Sequence, residues 1–183
     1  AVGEAFDKVA RMLDLPYPGG PQISKLAEEE RQKKKINSFS FPRPMLKTKD
    51  FNFSYAGLKT SVLYHIRDNG PLIPEAKSKI ALEFENAAIE PLVAKTKKAM
   101  EKYGVKTLIV AGGVACNKHL QRKMRRIVRQ DLTTNKIKIF FPKEGLAGDN
   151  SLMIGIAGYL NYVKNKKKVP KLESIKAIGN LRL

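Results

Sequence analysis

With 183 residues, 43% of them hydrophobic, the chain can build a domain with its own core, which excludes a disordered segment. Lys and Arg number 35 against 17 Asp and Glu, a formal charge of +18 that points to a polyanionic partner. No apolar run is long enough for a membrane span, and the lone cysteine, Cys116, excludes an internal disulfide and suits a reducing cytoplasm.

The first predicted element is a helix over 3–14, where Phe6, Val9, Ala10 and Leu13 form one apolar stripe. The run Pro16-Tyr17-Pro18-Gly19-Gly20-Pro21 stops it in a tight loop, and a second helix is expected from about Gln22 to Lys34. In 36–56, Pro42 and Pro44 interrupt an alternation of Phe39, Phe41, Phe51 and Phe53, which reads as short strands or an extended loop, with a hairpin around 46–50. A third helix follows over 57–68. The longest helical pattern runs over 74–103, with a kink or break expected at Pro91 and a stop at Gly104. Strand 106–111, helix 116–130, strand 137–141, a helix from about Asn150 to Lys164 and a strand-like tail over 174–183 complete the chain. Strands alternating with helices predict a parallel sheet, with ligands at the carboxyl ends of its strands.

Three basic clusters carry the excess charge. Arg31, Lys33, Lys34, Lys35, Arg43, Lys47 and Lys49 form the first, and Lys118, Arg122, Lys123, Arg125, Arg126 and Arg129 the second. Both fit a nucleic-acid backbone and a solvated surface equally well, whereas Lys164, Lys166, Lys167, Lys168 and Lys171 read as surface.

The stretch Leu108-Ile109-Val110-Ala111-Gly112-Gly113-Val114-Ala115-Cys116-Asn117 reads as a buried strand that breaks at a glycine pair and turns straight into a helix. Such a turn offers free N–H groups and close backbone approach to a phosphate or nucleotide, though plain α/β connectivity gives the same pattern. Asn117 caps that helix or donates to a ligand. Asp149, in Gly148-Asp149-Asn150-Ser151, is a helix cap or a carboxylate ligand for a metal, and local sequence favours the cap. Asp7 reads as exposed unless its face meets a cleft. Cys116 reads as a small buried filler, His65 as packed on its helix and His119 as part of the basic surface. No His-x-x-x-His pair, Cys-x-x-Cys pair, Gly-x-Ser-x-Gly elbow or lysine-bearing phosphate loop is present.

Taken in order, Gly3-Glu4-Ala5-Phe6-Asp7-Lys8, Tyr17-Pro18-Gly19-Gly20-Pro21, Phe41-Pro42-Arg43-Pro44-Met45, Phe53-Ser54-Tyr55-Ala56-Gly57-Leu58-Lys59-Thr60, Ala111-Gly112-Gly113-Val114-Ala115-Cys116-Asn117 and Gly148-Asp149-Asn150 resemble the TsaD family. The resemblance implies an α/β, actin-like ATPase (ribonuclease H-like) fold, of which this chain is the second lobe. Residues 22–104 would be a helical insertion and 105–183 the α/β core, with the N-terminal lobe absent. It implies transfer of a threonylcarbamoyl group from threonylcarbamoyl-AMP to N6 of adenosine 37 in tRNAs that read ANN codons. Asp7, Gly20 and Asn117 would contact the adenylate, Gly112 and Gly113 would form the phosphate loop, and Asp149 would ligate one divalent metal, iron or zinc. That reverses the local reading of Asp149. No catalytic general base is assigned.

The family's His-x-x-x-His metal pair is not in this sequence, and the chain opens at Ala1 without a Met. It is therefore expected to be a fragment, inactive alone, of a cytoplasmic or mitochondrial enzyme that works with tRNA and small partner proteins. A sugar-kinase-like ATPase and a basic RNA-binding module, with bases stacked on the phenylalanines, are the alternatives, although the alternation of Phe39, Phe41, Phe51 and Phe53 reads rather as core. The transferase reading requires the separated loops carrying these residues to converge on one cleft wall.

Overall fold

The computed structural model describes residues 1–34, 38–130, 137–143, 145–148, 151–166, 169, 171–174 and 176. It divides into two units, Ala1–Ala147 and Gly148–Leu183. In the first, four helices come before any strand: α1 (Val2–Met12), α2 (Gly19–Gln32), α3 (Ala56–Asp68) and α4 (Pro74–Tyr103). Strand β1 (Thr107–Ile109), a 3-10 turn (Gly113–Cys116), helix α5 (Lys118–Gln130) and strand β2 (Lys138–Phe140) follow. The strands pair in parallel, Thr107 opposite Lys138 and Ile109 opposite Phe140, with α5 as the crossover.

Helix α4 serves two cores. One joins Phe6, Val9 and Leu13 of α1, Ile23 of α2, Leu58 and Val62 of α3 and Ile80 and Phe84 of α4. Phe6 meets Phe84 edge to face at 5.1 Å. The other joins Ile89 and Met100 of α4 to Leu120, Met124, Ile127 and Val128 of α5, under Leu108 and Ile139 of the strands.

Pro91 does not break α4, which runs unbroken for 30 residues and ends at Gly104 as expected. An internal proline costs about 3 kcal/mol through one lost hydrogen bond and a clash. Here it is buried beside residues of both cores, whose packing offsets that loss.

Of the two readings of 36–56 the loop holds and the hairpin around 46–50 does not: the described residues of this segment contain no strand. Pro42 and Pro44 cannot donate to a ladder, and between them Arg43 is fastened to Glu83 and Glu90 of α4. Farther on, the buried Lys95 donates its Nζ hydrogens to Thr48 Oγ1 (2.8 Å), Asp50 Oδ1 (3.1 Å) and the Asn52 carbonyl, which shapes the loop around one ammonium group. Phe39 and Phe41 pack against each other and against His65 of α3, whose ring centroid lies 4.1 Å from that of Phe39. These two rings belong to the core and are not free to stack on bases.

In the second unit, α6 (Ser151–Lys164) has the expected position, and its apolar side chains, among them Leu152, Ile154, Ile156 and Leu160, are exposed. A 3-10 turn covers Leu172–Ser174. Of the expected tail strand, residues 175 and 177–183 lie outside the described residues.

Candidate ligand-binding cleft

The cleft begins with a helix-to-helix contact. Gly19 opens α2 directly over α1, and its N–H donates to Asp7 Oδ1 at 3.0 Å. The carboxylate thus takes up a free donor of the first turn of α2, as a capping side chain does, from twelve positions away. A Cβ on Gly19 would lie 2.4 Å from Ala10 Cβ and 2.9 Å from Asp7 Cα, so only glycine lets the two backbones approach this closely. The glycine pair expected in a loop therefore forms the start of α2. Pro21 is compatible with this, because the first turn of a helix has no partner for its N–H groups.

Opposite lies the turn after β1. Gly112 has φ +87 and ψ 169, a region that essentially only glycine occupies. The strand does not run straight into α5, because the 3-10 turn intervenes and the Ala115 N–H closes on the Gly112 carbonyl at 2.9 Å. The Gly113 and Val114 N–H groups precede that first closed bond, and both residues belong to the cleft wall.

Asn117 joins the two walls. Its Oδ1 accepts the Leu120 N–H at 2.8 Å, capping α5. Its Nδ2 donates to Ser24 Oγ of α2 (2.8 Å) and to Glu85 Oε1 of α4 (2.7 Å). Glu85 is 1% exposed, and its other oxygen takes the Arg31 guanidinium at 2.8 Å. Both amide hydrogens of Asn117 are thus engaged, its backbone N–H donates to the Val114 carbonyl and its own carbonyl accepts the Gln121 N–H, which leaves the second Oδ1 lone pair for any ligand.

Together these elements enclose a cleft of about 970 Å³. Asp7, Gly20, Gly112, Gly113 and Asn117 all line it. Gly20 and Gly113 differ from Gly19: a Cβ on either meets nothing within 4 Å. The fold does not need glycine there, but the absence of side chains keeps the cleft wall open. Asp149 lies outside the described residues.

Three readings change. Cys116 is exposed and lines the cleft, because the 3-10 turn rotates the chain so that Ala115 packs inward in its place. His119 is 8% exposed and lines the cleft, although it was expected on the basic surface. Burial, reinforced by Arg31, Lys123 and Arg122, pushes its pKa down to about 3, so the imidazole is neutral. Three members of the first basic cluster are paired with acids: Arg31 binds Glu28 and Glu85, Lys33 binds Glu30, and Arg43 binds Glu83 and Glu90. The Arg122 guanidinium, with Arg31, holds the Glu28 carboxyl below its ordinary range against the opposing effect of burial. Sequence reasoning missed Gly19, Ser24 and Glu85. The one available signal was the pair Glu83 and Glu85 flanking Phe84 in an otherwise apolar stretch of α4, where buried acids need partners.

Helices packed on a parallel strand pair, with a cleft walled by a glycine turn, define an α/β protein with a cleft of nucleotide size. The family model described as tRNA N6-adenosine threonylcarbamoyltransferase (TsaD) matches residues 1–156, and the chain belongs to that family. It is 42% identical over its whole length to the tRNA N6-adenosine threonylcarbamoyltransferase of Thermosipho africanus, of which it covers 52%. With the protein of the same name from Syntrophotalea carbinolica, 86% of the chain is 43% identical and covers 44%. With that of Staphylococcus aureus, 91% of the chain is 40% identical and covers 46%. The chain spans about half the length of the curated relatives it matches. The family implies an actin-like, ribonuclease H-like fold, and the chain shows its α/β character.

Proposed function

We propose that the chain is the second, C-terminal lobe of an enzyme that transfers the threonylcarbamoyl group of threonylcarbamoyl-AMP to N6 of adenosine 37 in tRNAs that read ANN codons. The observation behind this reading is the meeting of Asp7, Gly20, Gly112, Gly113 and Asn117 on one cleft. The adenylate is a mixed anhydride with an electrophilic carbamoyl carbon. N6 attacks that carbon, the carbon–oxygen bond to the phosphate breaks, AMP departs and N6 loses one proton. The chain's part is positional. The phosphate lies against the Gly112–Gly113 turn, where no Cβ intervenes and N–H groups precede the first closed bond. Asp7 keeps one carboxylate oxygen for a ribose hydroxyl while the other holds Gly19. Asn117 fixes the spacing between the α2 and α5 sides.

The reading includes one divalent ion, iron or zinc, with Asp149 as a carboxylate ligand. Such an ion stabilises negative charge developing in acyl transfer. Among the described residues no group of three or more His, Cys, Asp and Glu side chains forms a metal site. The remaining ligands are therefore assigned outside them, and no step is drawn through the ion. The enzyme would act in the cytoplasm, or in mitochondria, with small proteins that supply or regulate the adenylate. Among the described residues no helix is long and apolar enough to cross a membrane.

The test is calorimetric titration of the chain with a non-hydrolysable threonylcarbamoyl-adenylate analogue. Wild type should bind, and Gly113→Val, which fills open cleft space, should lose about tenfold or more in affinity with an unchanged urea midpoint, a cost of about 1.4 kcal/mol. Equal affinity in both proteins refutes the cleft assignment. For the ion, D149A in the full-length protein should lose bound metal, and an unchanged metal content refutes the ligand role.

A further inference from the structure

Helix α5 contains no acidic residue from Lys118 to Gln130. Its inner side is closed by Leu120, Met124, Ile127 and Val128, so its arginines are confined to the outer side. Arg122, Arg125, Arg126 and Arg129 stand there at three- and four-residue spacing and, with Gln130, frame a groove of about 380 Å³. They are not equivalent. Arg122 is engaged with Glu28 at 2.5 Å, and Arg125 lies over the Phe141 ring at 4.9 Å. Arg126 and Arg129 have no acidic partner among the described residues, in contrast with Arg31 and Arg43, which are held by buried or half-buried acids. Folding thus pairs Arg31, Lys33 and Arg43 of one cluster and Arg122 of the other with acids, and leaves Arg126 and Arg129 exposed.

We propose that this arginine row is a docking surface for the phosphate backbone of RNA, the tRNA substrate in the transferase reading on which the inference rests. Guanidinium groups bind phosphate oxygens bidentately, and the row is made of arginine rather than lysine. The row starts on the same helix whose first residues line the cleft, since Lys118 and His119 belong to the cleft wall. A strand held along α5 is therefore led toward the ligand side. The contacts are to backbone, so they position the RNA and read no sequence.

The experiment is fluorescence anisotropy of the 183-residue chain with a labelled tRNA transcript across a salt series. R126A/R129A removes two phosphate contacts. The slope of log K against log salt should fall by about 1.8, equivalent to about 60-fold weaker binding at about 0.1 M salt. R126K/R129K should keep most of the slope, which guards against a folding artefact. K97A/K102A, with the same charge loss on α4, should change binding by no more than about threefold, because it removes no phosphate contact. Wild-type affinity in R126A/R129A, or equal losses in the α4 control, would overturn the surface assignment. Tight binding of polyglutamate without binding of tRNA would overturn it too, and would make the row a dock for an acidic protein. The cleft titration separates this result from the transferase reading: tRNA binding through α5 without adenylate binding leaves the row standing and removes the reading.

Discussion

The Gly19→Ala substitution puts the close approach of α1 and α2 to a quantitative test. An alanine at a helix start usually does no harm and gains up to about 1 kcal/mol over glycine. Here the added Cβ would lie 2.4 Å from Ala10 Cβ, 2.9 Å from Asp7 Cα and 3.1 Å from Asp7 Oδ1. Two of these atoms cannot swing away, because one is backbone and the other is attached directly to it. Relief requires α1 and α2 to separate, which costs about 1–3 kcal/mol as overpacking. Separation also weakens the charge-assisted Gly19 N–H to Asp7 bond, worth about 1.5–3 kcal/mol. The expected net loss is about 2–4 kcal/mol. At about 2 kcal/mol per molar, urea unfolding followed by circular dichroism should show a midpoint about 1–2 M lower. Gly20→Ala is the internal control, since its Cβ meets nothing and its midpoint should hold or rise slightly. A Gly19→Ala midpoint within about 0.3 M of wild type would refute the packing argument.

Two other expectations concern buried charge. His119 has its folded pKa near 3 and an ordinary value of 6.5, so between those limits the unfolded chain binds the extra proton. Its contribution to stability is complete above about pH 6.5 and falls as the pH drops toward 3. Urea midpoints measured from pH 7 to 4 should fall less steeply in H119Q than in wild type, and parallel profiles would contradict a neutral buried imidazole. Lys95→Ala removes the cation that gathers Thr48, Asp50 and Asn52 and leaves a cavity beside them. Asp50 is half-exposed, so the loss falls on the anchoring of the loop rather than on a stranded buried charge. Limited trypsin digestion should then cut at Lys47 or Lys49 well before global unfolding, and unchanged protection of that loop would show that Lys95 does not hold it.

Local sequence determined the order and type of nearly every described element. The stripe of Phe6, Val9 and Leu13, the stop at Gly104 and the strand–helix–strand run after it are short-range patterns set by helical and strand periodicity. The motifs that point to the cleft were also legible, because glycine pairs and cap residues mark where a backbone must turn. Tertiary structure alone decided which charges remain available. Arg31 and Arg43 look like Arg126 and Arg129 in one dimension, and only folding brings Glu83 and Glu85 of α4 to the first pair. It likewise buried His119, exposed Cys116 and brought Gly19 onto Asp7. The physical reason is range. Periodicity and capping act within a few residues, whereas burial, charge pairing and steric clearance depend on neighbours that the chain supplies from dozens of positions away.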